Sequence, residues 1–325
     1  MKELYGMRRL AGRLGLAREA AAILRGEADV ELPGVREEVR REDGVEVHTV
    51  TVLNEEGSCL LGRPRGSYIT CAISREEDEQ PAVSALSREI GRLLPPLADS
   101  PLLLVGLGNR LAAPDSLGPA VIDRSFATNH VFLNGGRLPG WSRVCTFVPG
   151  VLGLTGIETC QAVAGVCTRL QPAAVIAVDS LAAADISRVG RTVQLSDSGI
   201  RPGSGVGGAG GELSRETLGC PVLALGVPTV VDSAAIISGV LTALKEHWSR
   251  SALILPPDLD DEAREYTERR LLEDFHSQLM VTPREIDDLI ERSSRLLAAA
   301  IALAVHPGCD ETSYDRFIKI GRAHV

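Results

Sequence analysis

The sequence predicts an α/β fold, a largely parallel or mixed sheet flanked by helices. Two observations carry this. Short, wholly apolar runs recur at 101–105, 173–178 and 222–227, the kind of strand that is buried on both faces of a parallel sheet. Stretches with helical spacing lie among them, over 156–170 and 233–246, and such alternation marks strand–helix–strand units. At 325 residues the chain is long enough for one large domain with additions. Aromatic residues are only 3% of it, so Leu, Val, Ile and Ala must build the core.

Taken in order, residues 8–25 place Leu10, Leu14, Ala17, Ala21 and Leu24 on one helical face. Residues 45–53 alternate as a strand does, Asn54-Glu-Glu-Gly57 reads as a turn, and 67–73 form a second strand. Together they predict a β-hairpin on the N-terminal side, at about 40–75. A helix over 84–94 is ended by Pro95-Pro96. Strands then fall at 101–105, 173–178, 192–195 and 222–227, with helices at 156–170 and 233–246. The segment 260–306 reads as helical, with Thr282-Pro-Arg-Glu285 as a capping-box start. Residues 319–325 are one translation of a common sequencing-adaptor string and are set aside as a non-native tail.

Composition narrows the function. With 34 Lys and Arg against 43 Asp and Glu the net charge is −9, which argues against nucleic acid or an anionic membrane as a general partner. The longest apolar run, 296–305, is about half the ~20 residues that a membrane-spanning helix needs. Arg8, Arg9, Arg13 and Arg18 interrupt the N-terminus, so it does not read as a signal peptide. The expectation is a cytoplasmic protein. Seven scattered cysteines with no C-x-x-C spacing read as reduced, buried thiols.

Two glycine motifs invite a nucleotide reading, and both fail. Gly106-Leu-Gly-Asn109 follows a strand, but the third glycine of a dinucleotide fingerprint would fall at Leu111. The stretch 202–211 has the glycines of a phosphate cradle but no lysine. It reads as a loop at the rim of a site.

A pair of carboxylates gives the sharper signal. Asp115 lies in the loop after the first apolar strand, within Pro114-Asp-Ser-Leu-Gly118, and Asp179 ends the second. Sites in open α/β sheets form at the carboxyl ends of strands. Two carboxyls brought together there do not both ionise, which gives an acid and a base for water attack on an amide. Backbone N–H groups of Gly106, Gly108 and Asn109, or of Gly203, Ser204 and Gly205, are candidates for holding the oxyanion. Asp197 and Asp232 are weaker candidates, and His130 reads as structural.

These segments resemble the germination protease family of endospore-forming bacteria. The resemblance rests on Val105-Gly-Leu-Gly-Asn109 with Pro114-Asp-Ser-Leu-Gly-Pro119, and on Val148-Pro-Gly-Val-Leu-Gly-Leu-Thr-Gly-Ile-Glu-Thr159. Val178-Asp-Ser-Leu-Ala-Ala183, Gln194-Leu-Ser-Asp-Ser-Gly-Ile200, Pro202-Gly-Ser-Gly-Val-Gly207, Gly226-Val-Pro-Thr-Val-Val-Asp232 and Leu279-Met-Val-Thr-Pro-Arg-Glu285 extend it. It covers about residues 10–310.

The resemblance implies a fold like that of the hydrogenase-maturation peptidases. It implies an endopeptidase that digests small acid-soluble spore proteins at germination, with Asp115 and Asp179 in the positions of the family's two acids. It implies a homotetramer located in the forespore or spore core. It also implies a precursor cut before Leu-Ala-x-Glu-Ala, present here as Leu16-Ala-Arg-Glu-Ala20, so that residues 1–15 form a propeptide and 16–318 a single peptidase domain. The cut would fall between Gly15 and Leu16, where the chain has Leu14-Gly15 in place of the usual Thr-Asp. The maturation peptidases hold a metal at equivalent acids, so a divalent metal at Asp115 and Asp179 is left open. The alternatives are a metal-assisted maturation-type endopeptidase with another cytoplasmic substrate, and a homologue that binds spore proteins without cutting them.

Overall fold

The computed structural model describes residues 16–25, 32–73, 79–97, 99–202, 211–233 and 279–310, with isolated positions between 236 and 270 and Tyr314. A nine-stranded mixed sheet runs through it. Its strands are β1 (Val35–Glu42), β2 (Val45–Val52), β3 (Gly66–Ala72), β4 (Leu102–Gly106), β5 (Val144–Phe147), β6 (Ala174–Ala183), β7 (Thr192–Ser196), β8 (Val222–Asp232) and β9 (Met280–Val281). Their order is β1-β2-β3-β7-β8-β6-β4-β5, with β9 paired to β8. Strands β8, β6, β4 and β5 are mutually parallel. From β8 through β7, β3 and β2 to β1 every pairing is antiparallel. The parallel expectation therefore holds for one half of the sheet.

The helices are α1 (Ala17–Arg25), α2 (Glu55–Leu61), α3 (Gln80–Leu93), α4 (Leu117–Ile122), α5 (Thr159–Leu170) and α6 (Ile286–Val305), besides single turns. One face of the sheet, with Val47, Cys71, Leu104, Ile176, Leu195 and Leu225, is covered by α3, α4 and α6. The other face is divided. Over the parallel half, Leu103, Val105, Val175 and Ala177 pack against Val163 and Cys167 of α5. Over the antiparallel half, Val50, Val52 and Tyr68 pack against Ala17, Ala20 and Ala21 of α1. Successive residues of β4 and β6 thus enter different cores, which is why these strands are apolar throughout.

Several expectations need correction. The segments 45–53 and 67–73 do pair antiparallel, but the link between them is a helix, α2. Asn54 caps it, accepting the Gly57 N–H at 3.0 Å. The tight hairpin is β1–β2, and its turn, Asp43-Gly44, has φ of 51° and 83°, the two positive values that this turn type needs. Strand β1 gave no apolar signal because six of its eight residues are charged, as suits a sheet edge. The Thr282 capping box does not form. Thr282 Oγ1 instead donates to Thr229 O at 3.0 Å, and α6 starts after Glu285 with no side-chain cap. Among the described residues no helix is long and apolar enough to cross a membrane.

Candidate active site

Gly106 is the last residue of β4, and the next residue, Leu107, still donates to Val178 O of β6 at 2.8 Å. The chain then turns sharply. Gly108 has φ of 108°, and a Cβ there would lie 2.1 Å from Asp115 O and 3.0 Å from Asp115 Oδ1. Glycine is required for both reasons. Asn109 closes the loop. Its N–H donates to Asp115 O at 2.9 Å, and its Oδ1 accepts the Leu111 N–H at 2.9 Å. The turn Ala113–Asp115 is one turn of 3-10 helix, and α4 starts two residues after Asp115.

Burial pushes the Asp115 carboxyl above the usual range, opposed in part by the Asn109 N–H. Desolvation favours the neutral acid, whereas an N–H at the carboxylate favours the ion.

Asp179 lies within β6, which runs on to Ala183, past the end of the predicted strand. It is 5% exposed, and its Oδ1 accepts the N–H of Ser180 at 2.8 Å. The 3-10 turn that carries Asp115 packs against both β6 and β8, so the two acids sit on adjoining elements, Asp115 in the turn after β4 and Asp179 within the adjacent parallel strand. The Ser180 hydroxyl, next to Asp179, is buried with no hydrogen-bond partner.

The registers set Asp179 opposite Gly226 of β8, Gly226 opposite Gln194 of β7, and Gln194 opposite Thr70 of β3. Directly paired residues project from the same face. Gln194 is buried, and its Oε1 accepts the Ala17 N–H at 2.6 Å. Leu16 is fully buried, and Glu19 accepts the N–H groups of Ala184 and Asp185 at 2.9 and 3.2 Å, with Arg188 3.3 Å away. The start of the described chain is thereby fixed two strands from Asp179, about 10 Å across the sheet. Sequence reasoning passed over Gln194. It stands among the quoted motifs, but nothing in its spacing shows that it meets the N-terminal segment.

The remaining candidates lie farther out. Gly15, Gly203, Ser204 and Gly205 are outside the described residues. Where the glycine-rich stretch ends, the Gly211 N–H donates to Glu158 at 2.6 Å. Asp197 holds the Ser67 N–H at 2.7 Å, a structural task at the start of β3. Asp232 ends β8 beside β9. His130 is exposed, while Asn129 before it is buried and accepts from Arg143 at 2.9 Å. Leu111, Leu152, Leu154 and Ile157, on the loops after β4 and β5, are all more than half exposed. Asp115 and Asp179 are the side chains that would hold a divalent metal here, with waters or further donors completing its shell. Among the described residues no three His, Cys, Asp or Glu side chains gather as a ligand set.

A family model for germination protease matches residues 16–255. The germination protease of Clostridium tetani is 35% identical over 92% of this chain and 96% of its own length. That of Clostridium acetobutylicum is 34% identical over 88% and 92%. That of Priestia megaterium is 34% identical over 88% and 90%. The match thus spans the loop of Asp115, the strand of Asp179 and the anchored segment at Leu16, and the chain belongs to the germination protease family of peptide-bond hydrolases.

Proposed function

We propose that this peptidase is an endopeptidase that starts the digestion of small acid-soluble spore proteins at germination, using Asp115 as acid and Asp179 as base. The observation that carries the reading is the joint placement of these residues. Asp115, in the turn after β4, and Asp179, within the neighbouring parallel strand β6, stand on adjoining elements, and burial raises the Asp115 carboxyl above its ordinary value. In this mechanism Asp179 takes a proton from water, and the resulting hydroxide attacks the scissile carbonyl carbon. Asp115 then protonates the leaving nitrogen as the C–N bond breaks. Backbone N–H groups meet the oxyanion, from Gly108 or from the loop of Gly203, Ser204 and Gly205. The Leu107 and Asn109 N–H groups are already committed to Val178 O and Asp115 O. No step passes through a metal. The exposed Leu111, Leu152, Leu154 and Ile157 offer apolar contact to an extended polypeptide.

The precursor reading has its own support. Leu16 and Glu19 are buried, and Gln194, which takes the Ala17 N–H, is two strands from Asp179. We read residues 1–15, which precede this anchored segment, as a propeptide removed by cleavage after Gly15. We place the enzyme in the forespore or spore core, as a homotetramer. Incubating the chain that begins at Leu16 with an α/β-type small acid-soluble spore protein, read by intact mass, tests this. One or two discrete cuts that persist in excess chelator are expected. Binding without fragments would favour the non-cleaving homologue, and cuts that appear only with added metal would favour the metal-assisted reading.

A further inference from the structure

The site also depends on a residue of β8. Strands β6 and β8 run in register up to Leu181, opposite Pro228, and then slip by one, so that Ala182 faces Val230. Thr229 is the extra residue of this bulge. Bulges re-aim side chains, often beside active sites. Thr229 is fully buried, and its Oγ1 donates to the carbonyl of Pro114 at 2.7 Å. Pro114 is the residue before Asp115. The backbone of Thr229 is held in turn, since its carbonyl accepts Thr282 Oγ1 at 3.0 Å. The chain from β9 into α6 thus braces the bulge, and the bulge braces the Asp115 turn. On the other side of that turn the Asn109 N–H holds Asp115 O. The Pro114 and Asp115 carbonyls of the 3-10 segment are both held, and Thr229 holds the first from outside the β4–α4 loop.

We propose that Thr229 is a positioning residue of the peptidase reaction, acting through the Pro114 carbonyl to hold the Asp115 turn in place against β6 and β8. This rests on the reading of Asp115 as the acid. A clamp of this kind touches no substrate, so its loss acts on turnover and on the titration of Asp115 rather than on binding. With the Pro114 carbonyl released, the turn loosens, the half-buried carboxyl gains exposure, and desolvation weakens.

The test uses Thr229→Val, which keeps the shape and removes the hydroxyl, and Thr229→Ser, which restores it. Both are made in the chain that begins at Leu16, with cleavage of a small acid-soluble spore protein followed against pH. Thr229→Val is expected to lower kcat by ~10-fold or more with KM within about 2-fold. The alkaline limb of kcat should move to lower pH, and Thr229→Ser should return both towards wild type. Wild-type kcat and an unmoved limb in Thr229→Val would overturn the proposal. So would a loss that Thr229→Ser fails to repair while its circular dichroism stays native. Asp115→Asn in the same series separates the two claims. If it keeps wild-type activity, the reading of Asp115 fails. If it is inactive while Thr229→Val is unimpaired, only the role of Thr229 falls.

Discussion

At the scale of single residues, the site is held by close backbone approach more than by side-chain contact. Gly108→Ala would drive a Cβ into Asp115 O and strain a φ of 108°. A cost of about 1–3 kcal/mol is expected, with the acid displaced and kcat down at least ~10-fold. Urea unfolding and turnover measured together check both effects. Asp115 carries a stability cost whose sign is fixed. Its folded carboxyl is raised above the ordinary value near 3.8, so protonation favours the folded state. That contribution is fully present below the unfolded value and is lost as pH rises through the folded one. Ionising the group in the fold is therefore a burden, and Asp115→Asn is expected to melt higher than wild type at pH 7. The gain should vanish below pH ~4. A melting gain equal at both pH values would contradict this origin. Asp115 and Asp179 were legible in the sequence because each follows a short apolar run. The roles of Gln194 and Thr229 were not, because each rests on a partner far along the chain, at Ala17 and Pro114.

At the scale of elements, α1 is a fitted part of the sheet's cover. Glu19 is buried against two backbone N–H groups and Arg188, so Glu19→Ala would leave buried donors without partners. A loss of about 1–3 kcal/mol is expected, along with protease sensitivity spreading into residues 16–25. Limited proteolysis followed by mass spectrometry would detect it, and unchanged protection would argue against the anchor. The helical spacing of Ala17, Ala21 and Leu24 made this element legible, while its docking place was not. Strand β1 shows the opposite case. Its Val35 and Val39 were too few to signal a strand among charges, and its pairing comes from the Asp43-Gly44 turn and from β2. Thr282 shows a third. Its sequence setting suits a cap, but a carbonyl on the β8 bulge takes the hydroxyl instead.

At the scale of the whole molecule, the sequence conveyed the class of fold but not the balance of the sheet. Apolar runs at β4, β6 and β8 marked the parallel half. The antiparallel half extends it through β7 and β3, and the register that joins them could not be read from any one segment. His306 also links the molecule's stability to pH. His306 ends α6 and packs on Trp141 with ring centres 4.6 Å apart, and its Nδ1 accepts the Ser142 N–H at 3.1 Å. Burial pushes its pKa down to about 4 from 6.5. The folded state thus prefers the neutral ring. Its contribution is complete above pH 6.5 and is lost as pH falls towards 4, with a slope approaching about 1.4 kcal/mol per pH unit. His306→Gln should flatten that slope in urea unfolding measured between pH 7 and 4. A slope left unchanged would assign the acid sensitivity elsewhere.

The central claim is that Asp115 and Asp179 act as one catalytic unit. The measurement that tests it most directly is kcat/KM on a small acid-soluble spore protein for Asp115→Asn, Asp179→Asn and the double variant, all begun at Leu16. Each single change is expected to cost ~100-fold or more, and the double should be no worse than the poorer single, as for residues that act together. A single variant that cuts at the wild-type rate, or losses that simply multiply in the double, would contradict the account.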